Sequence, residues 1–265
     1  MIFIDGFTAI IIFLLGLSVG SFLNVLIYRL EIDKSVFKGR SFCSQCKTTL
    51  GWLDLIPVVS FVLIKGKCRY CKKPISWQYP IVELAVGFLF FIIANFFFVD
   101  ESIMSLAQTI YLWIASSLLV VIFVYDFKHL EVPDILVVLG VGVTLIASFF
   151  GKITLSGGIL QALLGTLICA GFFFALVVIS RERWMGWGDV KLGLFLGLLL
   201  GWQKVLVAMF LAFFIGAICG IILIMVKKKG MKSQMPFGPF LVISTFIAIF
   251  FSAQLINWYL NILYL

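Results

Sequence analysis

Residues 181–191, RERWMGWGDVK, separate two long apolar runs, FFFALVVIS before them and LGLFLGLLLG after them. A short polar stretch in such company marks the end of one membrane helix and the start of the next. Its acid is oddly placed: Asp189 follows Gly186 and Gly188, and after Lys191 the chain turns apolar at once. The rest of the sequence agrees with the membrane reading. It is 63% hydrophobic and 12% charged, where soluble domains are roughly half apolar and about a quarter charged. Runs of roughly 20 apolar residues suffice to cross a hydrocarbon core about 30 Å thick. They lack the short alternation of barrel strands, and backbone in lipid has to be paired internally, so they read as helices.

Eight spans are expected, at approximately 7–28, 80–99, 103–125, 134–150, 157–180, 190–202, 203–226 and 239–263. The sixth is short and breaks from the seventh at GWQK, residues 201–204. Gly193, Gly197 and Gly201 recur in it at the spacing that lets helix backbones approach closely. The expected fold is an all-α membrane protein, a polytopic bundle of about eight transmembrane helices carrying a cytoplasmic zinc-ribbon-like loop. Its parts are a first transmembrane helix (1–30), a cytoplasmic double-CxxC loop (31–79) and a transmembrane core (80–265).

Charge sets the expected orientation. The first span has Asp5 before it and Arg29, Lys34, Lys38 and Arg40 after it, the reverse of a secretory signal, so it is read as a retained helix with its N-terminus outside. Residues 29–79 hold ten basic side chains. Alternation of the spans then puts 18 of the 20 lysines and arginines on the cytoplasmic side, leaving Lys152 and Lys204 outside. The formal charge of +8 is thereby explained by topology and anionic headgroups, and nucleic acid is not an expected partner.

The one sizeable polar segment lies between the first two spans. In it Cys43-x2-Cys46 and Cys68-x2-Cys71 have the spacing of a structural four-cysteine zinc site, on the side where thiols stay reduced. Two disulfides, or four unrelated cysteines, are the alternatives. Cys169 and Cys219 fall within spans and read as packing residues. Residues 52–64 are apolar but broken by Pro57 and too short to cross. They are expected either against the membrane surface or under the metal site.

Ionisable groups at the ends of spans are candidates for function. Asp5, Asp100 and Glu101 sit at outer ends, where water satisfies them. On the inner side, Asp134 follows Pro133 and suits the start of the fourth span, while Glu131 reads as a solvated loop charge. Asp126 ends a long apolar run, where an acid has the wrong sign for the helix dipole. Asp189 opens a span and could serve as a cap. Gly186 and Gly188 beside it also permit unusual backbone angles and the close approach of an extended substrate. Two carboxylates brought to one site cannot both ionise cheaply, which is the basis of aspartic peptide hydrolysis. His129 is the sole histidine, so no serine or cysteine can draw on a histidine-based triad elsewhere.

These residues resemble a known family, the type IV prepilin leader peptidases, integral membrane aspartic peptidases of the GxGD type. The resemblance runs through GSFLNVLIYRL (20–30), the cysteine loop with IPVVSFVLIKGKC, ISWQYPIVEL (75–84), YDFKHLEVPD (125–134) and GWGDVKLG (186–193). Val132 stands where the family usually has isoleucine. The resemblance implies that Asp126 and Asp189 are the catalytic aspartates, in a bacterial inner membrane and facing the cytoplasm. It implies cleavage of a short basic leader from prepilin or pseudopilin proteins at a glycine, usually before phenylalanine, in pilus, competence or secretion systems. It also implies a second activity, methylation of the new N-terminus with S-adenosylmethionine, for which Gly66 and Glu83 are the candidate residues. Asn24 and Arg29 read equally well as structural or functional. The rival readings are a proton-coupled transporter, which calls for acids at mid-span and an internal repeat, and a non-catalytic assembly scaffold docking through its metal loop.

Overall fold

A computed structural model describes residues 5–32, 39–100, 102–151, 153–226 and 235–263. Lys34, Lys38, Glu101, Lys152, Lys227, Lys228, Lys229 and Lys232 lie outside the described residues. The elements are α1 (Gly6–Glu31), a short 3-10 helix η1 (Trp52–Leu55), α2 (Val59–Leu63), α3 (Gln78–Phe97), α4 (Ile103–His129), α5 (Asp134–Phe149), α6 (Ile159–Ser180), α7 (Trp187–Met225) and α8 (Gly238–Leu263). Isolated bridges at Phe42–Thr49 and Lys67–Pro74 are the strand-like pairings among the described residues.

The chain gathers into two compact units, Met1–Val121 and Ile122–Leu265. In the first, α1 packs on α3 through glycines one turn apart. A methyl group at Gly16 would come within 2.8 Å of Gly87 Cα, and one at Gly20 within 2.7 Å of Glu83 Cα. Close backbone approach of this kind drives helix association where lipid removes the hydrophobic incentive. Trp113 of α4 stacks on Phe90 at 4.8 Å and donates its indole N–H to the Phe90 carbonyl at 3.0 Å.

In the second unit α7 is folded back on itself. Gly201 has φ 72°, ψ 174° inside what is otherwise helix. Gly193 lies against Phe173 and Ala170 of α6, while Phe213, on the other side of Gly201, also meets Phe173, with ring centroids 6.3 Å apart. In a straight helix residues 193 and 213 would stand about 30 Å apart. Only a hairpin brings both to one phenylalanine. Gly197 packs against the backbone of Gly165 and Thr166, so the glycine stripe is the seam between α6 and the first half of α7. On α5, Gly140 leaves room for the fully buried Phe195 ring.

Six of these helices, α1, α3, α4, α6, α7 and α8, are long and apolar enough to span a membrane, and α5 is a shorter apolar helix. With α7 counted as two arms, the chain is a multi-pass, all-helical membrane protein of about eight helical segments. The turn falls at Gly201, at the head of the expected break. Two boundary shifts matter to the site: α4 runs on to His129, so Asp126 lies inside its last turn, and α7 begins at Trp187, so Asp189 lies inside its first turn. Pro133 is the N-cap of α5, so Asp134 is the first helical residue.

Candidate active site and metal centre

Four chain segments of the second unit meet around one cavity of about 1050 Å³. The first is the end of α4 and its exit. Asp126 lies one turn before the helix ends and is only 5% exposed. The helix closes on Leu130, at φ 58°, whose N–H returns to the Asp126 carbonyl at 2.9 Å. The second is the α6–α7 turn. Arg181 and Glu182 are consecutive left-handed residues (φ 51° and 63°), and the Glu182 N–H bonds the Val177 carbonyl at 3.0 Å, satisfying a helix-end acceptor. Gly186 is then the N-cap of α7. Asp189, two residues after the first helical residue, turns its carboxylate back to accept the Gly186 N–H. The expected capping role therefore exists, in reciprocal form.

The two carboxylates line the same cavity, and the charge on Asp126 acts on Asp189. Residues from two helices, separated by two further helices in the chain, are thus brought together. The flanking glycines do different work. Neither Gly186 (φ −93°) nor Gly188 has a positive φ, so backbone freedom is not their purpose here. A side chain at Gly188 would press on Val132 at 3.2 Å, so this glycine seats the α4–α5 loop against α7. A methyl group at Gly186 would meet nothing nearer than Gly188 N at 3.9 Å, so the turn has room there.

The third segment is the α8 entry, which sequence reasoning did not single out. Gly238, the first residue of α8, donates its backbone N–H to the Asp126 carboxylate. Any side chain there would collide with that carboxylate. The start of a helix carries unpaired N–H groups and a partial positive charge, suited to an anion. The fourth contribution is Asp134 at the start of α5, whose carboxylate pairs with Lys191 at 2.5 Å. Both partners are exposed, so the pair adds little stability, yet it ties the start of α5 to the first turn of α7. Glu131 is exposed, as expected, and Trp187 donates its indole N–H to Glu182 at 2.7 Å.

The first unit holds the cysteine quartet. The ligand atoms of Cys43, Cys46, Cys68 and Cys71 all lie within 4.8 Å of one another, and the thiols are free. A tetrahedral zinc–thiolate centre has Zn–S of about 2.3 Å, hence sulfur–sulfur edges of roughly 3.8 Å, so the quartet fits such an ion. Each CxxC is folded the same way. Cys43 N–H bonds the Thr48 carbonyl as Cys68 N–H bonds that of Lys73, and Lys47 N–H returns to Cys43 as Lys72 N–H returns to Cys68. Lys47 and Lys72 share a positive φ, 59° and 60°. The Thr48 hydroxyl and then its N–H hold the Cys46 thiol below its ordinary value. Asp54 joins the halves, accepting from Gly51 N–H at 3.1 Å and Tyr70 at 3.2 Å and pairing with Arg69 at 3.2 Å.

The two residues considered for the methyl donor are occupied by internal contacts. Glu83 is buried and accepts the Val58 N–H at 2.7 Å and the Ser21 hydroxyl. Gly66 (φ 67°) follows the end of α2, and a methyl group there would come within 3.1 Å of the Phe61 ring. Asn24 bonds the Gly20 and Tyr79 carbonyls and receives Gln78, and Arg29 donates to the Gly39 carbonyl at 2.7 Å, so both have structural employment.

Comparison with known proteins gives two family matches in tandem. Residues 14–97 match the bacterial peptidase A24 N-terminal domain, and residues 113–221 match the type IV leader peptidase family. Proteins named prepilin leader peptidase/N-methyltransferase are similar over nearly the whole chain. One from Aeromonas salmonicida is 31% identical over 95% of this chain and 93% of its own length. One from Legionella pneumophila is 31% identical over 96% and 95%, and one from Pseudomonas aeruginosa 32% identical over 94% and 92%. No solved structure matches.

Proposed function

The chain belongs to the type IV leader peptidase family, and from that membership and the cavity's geometry we propose that Asp126 and Asp189 form an aspartyl dyad that removes the leader from prepilin-like proteins. The observation that carries the reading is the convergence of two carboxylates on one cavity within electrostatic reach of each other. Such a pair holds one proton between them over a range of pH. The ionised member takes a proton from water as that water attacks the scissile carbonyl. The protonated member hydrogen-bonds the carbonyl oxygen, and the departing amine then receives a proton from the dyad. Gly238 N–H and Gly186 N–H fix the carboxylates, and the open strip beside Gly186 receives the extended substrate backbone.

The membrane placement suits this chemistry. The distribution of basic residues argues for an outside N-terminus and for the dyad and cysteine loop on the cytoplasmic face of a bacterial inner membrane. There the apolar helix of a pilin or pseudopilin can lie in the bilayer while its basic leader stays in water. The division into a first helix (1–30), a metal-stapled loop (31–79) and a catalytic core (80–265) is retained as a functional description. The acids cluster at one inner end, which favours hydrolysis over proton-coupled transport.

N-methylation of the newly exposed amine, with S-adenosylmethionine as donor, is the proposed second activity. Gly66 and Glu83 are the proposed residues for the methyl donor's site, and both also shape the first unit through their internal contacts. Zinc is the proposed ion of Cys43, Cys46, Cys68 and Cys71. Metal analysis should give about one zinc per chain. Replacing Cys43 by serine should release it and leave residues 39–77 open to protease, since structural zinc contributes on the order of 10 kcal/mol to the folding of a small loop. A metal-free chain with the cysteines oxidised in pairs would refute the assignment.

The test of the whole reading mixes the purified protein with a prepilin in liposomes and follows the substrate by mass spectrometry. Loss of the leader is expected, then gain of one methyl mass when S-adenosylmethionine is present. An intact substrate would overturn the peptidase reading. Cleavage with no mass gain would remove the methyltransferase alone.

A further inference from the structure

The segment 52–63, between the two cysteine pairs, presents an apolar surface that nothing among the described residues of the first unit covers. Trp52 is 75% exposed, Val62 65% and Leu63 73%, and Val59 and Leu55 join them. Val59, Val62 and Leu63 share one face of α2 by their spacing. Phe61 points the other way, onto Trp77 at the head of α3, with centroids 5.1 Å apart.

One buried group anchors it to α3. Glu83 holds the Val58 N–H at 2.7 Å, and Glu83 lies five residues into α3, about 7 Å below the start of that helix. α3 is itself long and apolar enough to span the membrane. The chain at Val58 is therefore tied to the first turns of a membrane helix before it returns to the second cysteine pair. Val58 adopts φ 59°, ψ −49°, a conformation β-branched residues avoid. The Glu83 bond on one side and Phe61 clamped between Trp77 and Gly66 on the other hold it there. The chain that follows carries four exposed basic side chains, Lys65, Lys67, Lys72 and Lys73.

We propose that residues 52–63 are an interfacial wedge, which lays Trp52, Val59, Val62 and Leu63 into the headgroup–acyl boundary of an anionic bilayer at a depth fixed by Glu83. Tryptophan prefers that boundary, apolar side chains below it gain from lipid, and the four lysines above it meet anionic headgroups. Of the two places open to this stretch from sequence, the metal site and the membrane surface, the exposed face belongs to the second. The metal loop is thus moored at its middle as well as at both ends. The proposal does not depend on the peptidase reading.

The test uses the full chain in liposomes containing phosphatidylglycerol, probed from two sides and read by peptide mass spectrometry. A lipid-soluble carbene reagent should label residues 52–63 as strongly as the lipid-facing Ile10, Ile11 and Leu14 of α1. Water-borne hydroxyl radical should oxidise Tyr70 but spare Trp52. Glu83→Ala should lower carbene labelling of Val62 and Leu63 several-fold while leaving that of α1 unchanged. Oxidation of Trp52 as strong as that of Tyr70 would overturn the wedge. So would silence to both reagents, which would mean that protein, a second copy for example, covers the face.

Discussion

Asp126→Asn and Asp189→Asn should each reduce leader cleavage by at least about 10³-fold, as expected when a general acid–base group that acts within a unit is lost. Asparagine keeps the size of the side chain and can still accept the Gly238 or Gly186 N–H. Folding should therefore be preserved, with melting temperatures close to that of the parent protein. It cannot hold or release the shared proton. Because the two acids act on one water, the double variant should be scarcely worse than either single one. The readout is single-turnover cleavage followed by mass spectrometry. Losses that multiply in the double variant would mean that the two residues work independently.

The second large effect is expected at a residue with no side chain. Gly238→Ala should lower the turnover rate by about 10²-fold, in the range seen when one preorganised backbone donor is lost from a catalytic site. The added methyl occupies the place of the Asp126 carboxylate, so that group must rotate off the N–H at the start of α8. Loss of that donor disfavours the ionised form of Asp126, and the acidic limb of the pH–rate profile should move to higher pH. Substrate KM should change little. Gly142→Ala is the control: nothing lies within 4 Å of a methyl group there, so activity should be unchanged. Full turnover in Gly238→Ala with an unmoved profile would remove Gly238 from the site.

The features legible in the sequence were those written locally. Long apolar runs specify helices, and GWQK marks the hairpin because a glycine amid polar residues interrupts an otherwise unbroken run. The paired CxxC units specify the quartet because each knuckle is closed by its own backbone. The acids were legible as anomalies, Asp126 for its wrong sign at a helix end. What was not legible depends on partners remote in sequence. Gly238 lies more than a hundred residues beyond Asp126 and matters only because the start of α8 points at that carboxylate. The pairing of Asp134 with Lys191, and of Glu83 with the Val58 N–H, is likewise absent from any local pattern. The glycines beside Asp189 also depend on a remote partner. Close approach matters at Gly188, but the approaching group is Val132, and unusual backbone angles are needed elsewhere, at Gly201, Arg181 and Glu182.

The central claim is that one proton shared by two buried-side carboxylates drives hydrolysis, and the pH dependence of single-turnover cleavage in liposomes tests it most directly. A bell-shaped profile is predicted, falling in acid as both aspartates become protonated and in alkali as both ionise. A rate that climbs with pH to a plateau and never falls would show that no protonated partner is needed, and would contradict the dyad.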